Sequence, residues 1–246
     1  MKQRIILYVA FLVALGLNIG FWSHSRHLQA IWVNVPPAPA EYAAAAAGLG
    51  DRQLAYRFYS KMIQNFGTTG GRFESLEDYN YEHLYDWFML ADALDPYADF
   101  VPFLAGYNFG LSSEDAHLDY VIDYLTIVGQ RPYGQKWRFL GHAVYLARYR
   151  QNDLEKAMRL AEILAGLETD NMPAWTVQMP AFIAAQQGDR EGALNILMTL
   201  LTESGEDMHP NEVFFMIDYI CERLLEEDER RANPYCRQLD EENAGG

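Results

Sequence analysis

The chain has 246 residues, half of them hydrophobic, and a formal net charge of -15 from 19 basic and 34 acidic residues. This hydrophobic content can bury a sizeable core and excludes a disordered chain, so we expect one domain with an appendage. The acidic balance argues against binding to nucleic acid or to an anionic membrane surface, and it favours a basic or neutral protein partner.

The chain begins with an apolar segment of transmembrane length. Residues 5–22 carry no charge, and as a helix they would span roughly 27 Å, enough to cross a bilayer. Lys2 and Arg4 precede the segment. The positive-inside rule therefore places residues 1–4 in the cytoplasm and the bulk of the chain outside it.

Two other interpretations of this segment stay open. One is a cleaved signal peptide, with a small-x-small site at Ala14-Leu15-Gly16. The bulky Leu17 and Trp22 continue the apolar run beyond that site, which suits an uncleaved anchor better. The other is a buried helix of a soluble protein, which the lack of a polar face disfavours.

Residues 23–40 are predicted to form a juxtamembrane spacer. Pro36, Pro37 and Pro39 favour an extended, semi-rigid backbone there. The sequence has no N-x-S/T sequon, so nothing indicates a glycosylated ectodomain. We therefore expect a bacterial inner-membrane protein whose larger part faces the periplasm.

Residues 41–232 alternate amphipathic stretches with short polar breaks and show no sustained period-2 pattern, so an all-α domain is predicted. Similar turns, Gly50-Asp51 and Gly188-Asp189, precede two of the stretches. After such breaks, a small residue is followed four positions later by a second core residue. These pairs are Ala55 and Tyr59, Ala116 and Tyr120, Ala157 and Ala161, and Ala193 and Leu197.

The spacing of these pairs resembles the tetratricopeptide repeat (TPR) superfamily. Ala55 and Ala157 are 102 residues apart, three periods of 34, and Ala193 follows 36 residues later. The resemblance implies a TPR-like helical hairpin solenoid of four to six repeats after one N-terminal transmembrane helix. Gly141, where the family favours Trp, and Pro180, inside a predicted helix, depart from its pattern. A helical bundle without repeats is the alternative.

Aromatic residues are the best candidates for contacts with a protein partner, because Tyr and Trp are enriched in interface hot spots. Most are expected in the core, and those that stay exposed would be anchors. The candidates are Tyr79, Tyr81, Tyr85, Trp87, Phe100, Tyr107, Trp137 and Trp175. The glycine-rich stretch of residues 65–73 lacks the Gly-Lys-Ser/Thr of a phosphate loop, so it is predicted to join two repeats.

No motif indicates catalysis or cofactor binding. His24 and His27 have a helical spacing but are too few for a metal site, and a serine or cysteine nucleophile motif is lacking. We predict no catalytic residue, no cofactor, no metal and no small-molecule substrate. A hydrolase in the same compartment has no specific support.

Cys221 and Cys236 allow a disulfide only if the chain turns between them. Fifteen residues of unbroken helix would separate them by roughly 22 Å, against about 6 Å between the Cα atoms of a disulfide. Asn233-Pro234 breaks the helix, so the tail of residues 233–246 can fold back. The sequence leaves a disulfide and two unpaired thiols as alternatives, and it predicts disorder for residues 241–246.

Two functional hypotheses follow. In the first, the protein scaffolds a cell-envelope complex for secretion, pilus or respiratory assembly, and binds a partner, basic or membrane-embedded, in a groove of the repeats. In the second, it is a permanent structural subunit of a membrane complex. Gly16 and Gly20 favour the second, because a small-xxx-small face suits close packing between membrane helices.

Overall fold

The structure is a computed structural model, and it describes residues 2–25, 34–69, 72–167, 172–206 and 208–244. It divides into two units, Met1–Val33 and Asn34–Gly246. The predicted spacer residues 26–33 and the tail residues 245–246 lie outside the described residues, as do Gly70 and Gly71 of the glycine-rich stretch.

The first unit is the helix α1, Lys2–Ser25. Its segment Ile5–Ser25 has a mean hydropathy of 2.2, and none of this segment is buried. Within the described part of the chain, this is one helix long and apolar enough to span a membrane. It continues to Ser25, three residues beyond the predicted segment of residues 5–22.

The second unit is helical apart from one two-residue antiparallel pairing between β1 (Thr68–Thr69) and β2 (Arg72–Phe73). Short 3-10 turns cover Leu76–Asp78 and Phe109–Leu111, and π-turns cover Leu146–Arg150 and Ile220–Leu224. The helices are α2 (Glu41–Ala47), α3 (Arg52–Gln64), α4 (Tyr81–Leu94), α5 (Phe100–Tyr107), α6 (Asp115–Gly129), α7 (Trp137–Tyr145), α8 (Leu154–Ala165), α9 (Trp175–Gln187), α10 (Arg190–Ser204), α11 (Pro210–Tyr219), α12 (Glu227–Ala232) and α13 (Pro234–Ala244).

The repeated Gly-Asp turns end one helix and start the next. Gly50 and Gly188 both have a φ of +87°, a left-handed conformation that favours glycine. The carboxylates of Asp51 and Asp189 then accept hydrogen bonds from free backbone N–H groups at the starts of α3 and α10. The two turns recognised in the sequence are therefore the same structural element.

The helices of this unit form two rows. In the first row, α3 contacts α5, and α5 contacts α7. Trp137 of α7 packs on Trp175 of α9, and Phe182 of α9 packs on Phe215 of α11, which adds both helices to this row. The second row includes α4 and α6, joined by the rings of Phe88 and Tyr124.

Contacts between successive helical pairs recur at a nearly constant sequence separation. His142 bonds to the carbonyl of Gly106, 36 residues away, and Lys136 to that of Ala98, 38 residues away. Near the end of the chain, Arg190 bonds to the carbonyl of Leu224, 34 residues away. These three bonds thus join residues 34 to 38 positions apart in the sequence.

One part of the repeat alignment is wrong. The alignment gave Ala55 the same repeat position as Ala116, yet Ala55 lies in α3, in the first row, and Ala116 lies in α6, in the second. The cause is the stretch between α3 and α4. A β-hairpin and a 3-10 turn lie there instead of a helix. Helices α3 and α4 are therefore consecutive and contact each other, which makes α3 the first helix of a pair.

The second half of the predicted spacer belongs to the helical unit. Val35 is fully buried, and its carbonyl lies 2.9 Å from His83 Nδ1. The indole N–H of Trp87 donates to the carbonyl of Pro36 at 2.7 Å. The prediction of a free spacer is therefore wrong for this part of residues 34–40.

The C-terminal segment folds back on the last long helix. Cys221 and Cys236 form a disulfide, with 5.6 Å between their Cα atoms. The chain turns at Leu225 and Asn233, so it is not the continuous helix that would keep the cysteines apart. Helix α13 extends to Ala244, so the disorder predicted from residue 241 does not apply to residues 241–244.

Candidate partner-binding surface

The structure separates the eight predicted contact residues by burial. Tyr79, Tyr81, Trp87 and Trp137 are at most 8% exposed. They cannot serve as surface anchors, so the prediction of partner contacts is wrong for these four. Tyr85 and Phe100 are half-buried, and Tyr107 and Trp175 are 54% and 37% exposed.

The buried tyrosines and tryptophans stabilise connections inside the domain. The Tyr79 hydroxyl donates to the carbonyl of Phe66, and the Tyr81 hydroxyl to that of Phe109. Because a buried hydroxyl needs a partner, these bonds explain how polar rings fit in the core.

Exposed aromatic rings follow one another across α5, α7 and the π-turn after α7. We call the residues Phe103, Tyr107, His142, Tyr145 and Tyr149 the aromatic strip. Successive ring centroids along it are 4.7, 4.2, 5.5 and 5.2 Å apart. Its four Phe and Tyr side chains are each 48–57% exposed, so a continuous apolar surface faces solvent.

His142 lies at the centre of the strip, with Tyr107 and Tyr145 stacked on either side. Its Nε2 is 3.1 Å from the carbonyl oxygen of Gly106. Burial lowers the pKa of His142, and the hydrogen bond to the Gly106 carbonyl opposes this only in part. The imidazole is therefore neutral near pH 7, and its Nε2–H tautomer donates to that carbonyl.

The close approach of the two helices depends on Gly106. A Cβ at this position would lie 2.6 Å from Cδ2 of His142, closer than any ordinary contact. Glycine here lets α7 place its histidine against the backbone of α5.

A cleft of about 380 Å³ opens beside His142. This volume can hold one or two side chains of a partner. Its lining residues are Gly106, Tyr107, Gly110, Leu111, His142, Tyr145, Leu146 and Arg150. Arg150 is the one charged side chain among them.

The π-turn after α7 positions two arginines at the edge of the strip. The guanidinium of Arg148 lies 4.8 Å from the centroid of the Tyr149 ring and donates to Gln186 at 2.5 Å. Arg150 donates to the carbonyls of Leu111 and Ser112, both at 3.0 Å. Such π-turns are rare and are frequent at functional sites.

A second aromatic group lies further along the first row. Phe182 of α9 contacts Phe215 and Tyr219 of α11, with ring centroids 5.9 and 5.0 Å away. Phe215 and its neighbour Phe214 are each 47% exposed. Exposed aromatic side chains thus occur on α11 as well, beside the half-buried Phe182 of α9.

Trp175 explains why Gly141 stands at a position where the TPR pattern favours Trp. A Cβ at Gly141 would lie 3.0 Å from Cη2 of Trp175, so the indole of α9 occupies the space beside this glycine. The large residue that fills this space therefore comes from the following helical pair.

Sequence reasoning found Tyr107 but missed His142, Tyr145 and Tyr149. Their spacing of three and four residues places them on one face of a helix. This signal was readable, but nothing in the sequence said which face of α7 meets solvent.

Two other predictions concern the glycines of α1 and a metal site. Gly16 and Gly20 in α1 have no atom within 4 Å of an added Cβ, so their face is open. In the described ranges, no group of three or more His, Cys, Asp or Glu side chains could hold a metal ion.

Compared with known proteins, the chain matches no protein-family model, and neither a curated protein nor a solved structure shows significant similarity to it.

Proposed function

We propose that this protein is a membrane-anchored scaffold, in which a TPR-like helical repeat domain binds a partner protein through the aromatic strip. Its mechanism is binding without catalysis. The complex it serves would be an envelope assembly, such as a secretion, pilus or respiratory complex.

The regular connections between helical pairs support the repeat architecture. Contacts such as Gly106 to His142 and Ala98 to Lys136 join residues 36 and 38 positions apart. A stack of similar pairs leaves one side of each row uncovered, and repeat proteins use such extended surfaces for binding.

The observation that carries the proposal is the exposure of the aromatic strip. Its four large Phe and Tyr side chains are each about half exposed, and two of them, Tyr107 and Tyr145, line a cleft that can accept side chains. Aromatic residues bury a large area at a small loss of conformational entropy, which makes them effective anchors for a protein partner.

The proposed location follows from α1 and the disulfide. Helix α1 would be a signal anchor with its N-terminus in the cytoplasm, so the helical domain would face the periplasm. A disulfide between Cys221 and Cys236 suits an oxidising compartment.

The test is to purify tagged full-length protein from native membranes in mild detergent and to quantify co-purifying proteins by mass spectrometry. The variant Tyr145→Ala with Tyr149→Ala removes two exposed rings of the strip. We expect it to lower recovery of a specific partner about tenfold or more, as expected for loss of hot-spot residues.

The matched control is Tyr42→Ala with Phe73→Ala, which removes two rings that are 82% and 85% exposed outside the strip. Recovery of the partner should be unchanged in this control. Equal recovery with both variants would reject the strip as the binding surface.

The structural-subunit hypothesis remains the second candidate, because α1 presents an open face at Gly16 and Gly20. Under this hypothesis, Gly16→Leu with Gly20→Leu would release the partner, since bulky side chains prevent close helix packing. The strip variant would then keep its partner. The same purification thus distinguishes the two functions.

A further inference from the structure

The charges of the helical domain are divided between its two rows. Helices α3, α5, α7 with its π-turn, and α9 contain no acidic residue and six basic ones. The basic residues are Arg52, Arg57, Lys61, Arg138, Arg148 and Arg150. This stretch of cationic surface occurs in a chain whose formal net charge is -15.

The helices that alternate with them in the chain, α4, α6, α8 and α10, have the opposite balance. They contain ten acidic and three basic residues. The acidic residues are Glu82, Asp86, Asp92, Asp115, Asp119, Asp123, Glu155, Glu162, Glu191 and Glu203, and the basic ones are Lys156, Arg159 and Arg190. The segregation ends at α11, which carries Glu212 and Asp218.

Most of the cations in the first row are not neutralised within the domain. Arg52 pairs with Glu41, and Arg138 pairs with Asp99. Among the described residues, no ion pair involves Arg57, Lys61, Arg148 or Arg150. Their charge therefore remains available to a ligand.

Two of these cations border the aromatic strip, and a third lies over the half-buried Phe100 beside it. Lys61 Nζ lies 5.1 Å from the ring centroid of Phe100, which shares one face of α5 with Phe103. Arg148 lies over Tyr149, and Arg150 lines the cleft. We call the aromatic strip together with Lys61, Arg148 and Arg150 the basic-aromatic face.

We propose that the basic-aromatic face binds an acidic segment of the partner protein, in which aromatic or aliphatic side chains alternate with carboxylates. This inference rests on the proposed function and specifies the partner of the same surface. The apolar side chains would occupy the cleft beside His142, and the carboxylates would meet Lys61, Arg148 and Arg150.

The positive charge around the strip favours an acidic partner, whereas the net charge of the chain favoured a basic or neutral one. A basic segment would be repelled by the cations around the strip and attracted to the acidic helices α4 and α6. An acidic segment would be attracted to the face and repelled elsewhere. The charge distribution therefore orients an acidic partner and excludes a basic one at this surface.

The cleft favours a peptide over an anionic lipid headgroup. Its lining is aromatic and aliphatic around a single guanidinium, so it suits an apolar side chain with a nearby carboxylate. A phosphate would meet one cation in the cleft, Arg150, and would face apolar side chains over most of the remaining lining.

The test measures binding to full-length protein in neutral detergent micelles by fluorescence anisotropy at low salt. The probes are labelled peptides of equal length, in which leucine and phenylalanine alternate with glutamate, glutamine or lysine. The glutamate peptide should bind about tenfold more tightly than the glutamine peptide, and the lysine peptide most weakly. Added salt should reduce this difference.

The variant Lys61→Glu with Arg148→Glu should lower the affinity for the glutamate peptide about tenfold. Neither side chain donates a hydrogen bond to the backbone of another helix, so we expect the fold to persist, which circular dichroism would verify. The control Arg159→Glu with Arg237→Glu gives the same change in net charge, and should leave the affinity within about twofold. If the first variant does not fold, Lys61→Glu alone is its replacement, with Arg159→Glu alone as the matched control.

Tighter binding of the lysine peptide, or an equal loss of affinity in the control, would overturn the inference. A labelled short-chain phosphatidylglycerol is the fourth probe, and tighter binding of this lipid than of the glutamate peptide would overturn it as well. If no peptide binds while Tyr145→Ala with Tyr149→Ala still loses the native partner, the proposed function stands and the acidic partner is rejected.

Discussion

Two tyrosine–histidine stacks join neighbouring helical pairs, one in each row. Tyr81 of α4 stacks on His117 of α6, and Tyr107 of α5 stacks on His142 of α7, with ring centroids 4.2 Å apart in both cases. Tyr81 is only 2% exposed, whereas Tyr107 is 54% exposed. The same local pairing is therefore part of the core in one row and part of the surface in the other.

Hydrogen bonds also distinguish the buried stack of Tyr81 from the exposed stack of Tyr107. The Tyr81 hydroxyl donates to the buried carbonyl of Phe109, and burial raises the pKa of Tyr81 far above its usual value. In the exposed stack, the hydrogen bond is between His142 and the carbonyl of Gly106, and Tyr107 is 54% exposed. An exposed ring held in a fixed stack is ready to bind a partner, because little conformational entropy remains to be lost.

The largest expected difference between the two stacks is in the free energy of unfolding when Tyr81 or Tyr107 is replaced by alanine. Tyr81→Ala removes a buried ring and leaves the Phe109 carbonyl without its donor, so we expect a loss of about 3–5 kcal/mol in the free energy of unfolding. Tyr107→Ala should cost less than about 1 kcal/mol, because half of its ring already contacts water. Denaturant unfolding of both variants, followed by circular dichroism, measures the difference.

Equal losses from the two substitutions would mean that Tyr107 is needed for the fold, and would remove the main argument that it serves binding. A conservative control is Tyr81→Phe, which keeps the ring and removes only the hydroxyl. It should cost about 1 kcal/mol.

A smaller effect is expected at the glycine that permits the exposed stack. Gly106→Ala places a Cβ 2.6 Å from Cδ2 of His142, so the imidazole must move away from α5. We expect a loss of about 1–3 kcal/mol in the free energy of unfolding. In the background of His142→Ala the clash disappears, so Gly106→Ala should cost clearly less there.

This double-mutant cycle isolates the contact between the two residues. If Gly106→Ala costs the same with and without the histidine side chain, the glycine acts through the helix itself, and the close approach of α5 and α7 does not explain it.

The sequence predicted the parts of the fold that depend on neighbouring residues. The Gly-Asp turns at Gly50 and Gly188 were readable because a left-handed glycine and a capping aspartate are local requirements. The apolar character of α1 was readable for the same reason, since it needs only length and hydropathy.

The sequence did not predict which aromatic residues are exposed. Tyr81 and Tyr107 look alike in sequence, and only the packing around each side chain makes Tyr81 2% exposed and Tyr107 54% exposed. The row of α3 was also hidden, because a hairpin and a 3-10 turn lengthen the connection between α3 and α4, the two helices that pair. A local pattern cannot show this, so Ala55 was placed in the wrong row.

The net charge of the whole chain also gave no indication that the candidate site is basic. The net charge of the chain predicted a basic or neutral partner, yet the helices α3, α5, α7 and α9 carry no carboxylate. Summing charges by helix rather than over the chain would have shown this, but only the contacts reveal that α3, α5, α7 and α9 share a row.

The smallest expected effect is the pH dependence that His142 gives to the exposed stack. Its pKa in the folded protein lies below the ordinary value of 6.5, because burial disfavours the charged imidazolium. Below that value the unfolded chain binds a proton that the folded protein does not. The free energy of unfolding should therefore decrease as the pH falls from about 6.5 towards the lower pKa of the folded state.

His142→Gln keeps a side-chain N–H that can reach the Gly106 carbonyl but does not titrate. Denaturant unfolding of both proteins between pH 7.5 and 5 should show a smaller loss of stability in the variant, the remaining slope coming from other groups. Parallel curves would mean that His142 is as easily protonated in the folded protein as in the unfolded chain. The stack would then be open to water, and the aromatic strip would lose the rigid centre that distinguishes it from an ordinary exposed surface.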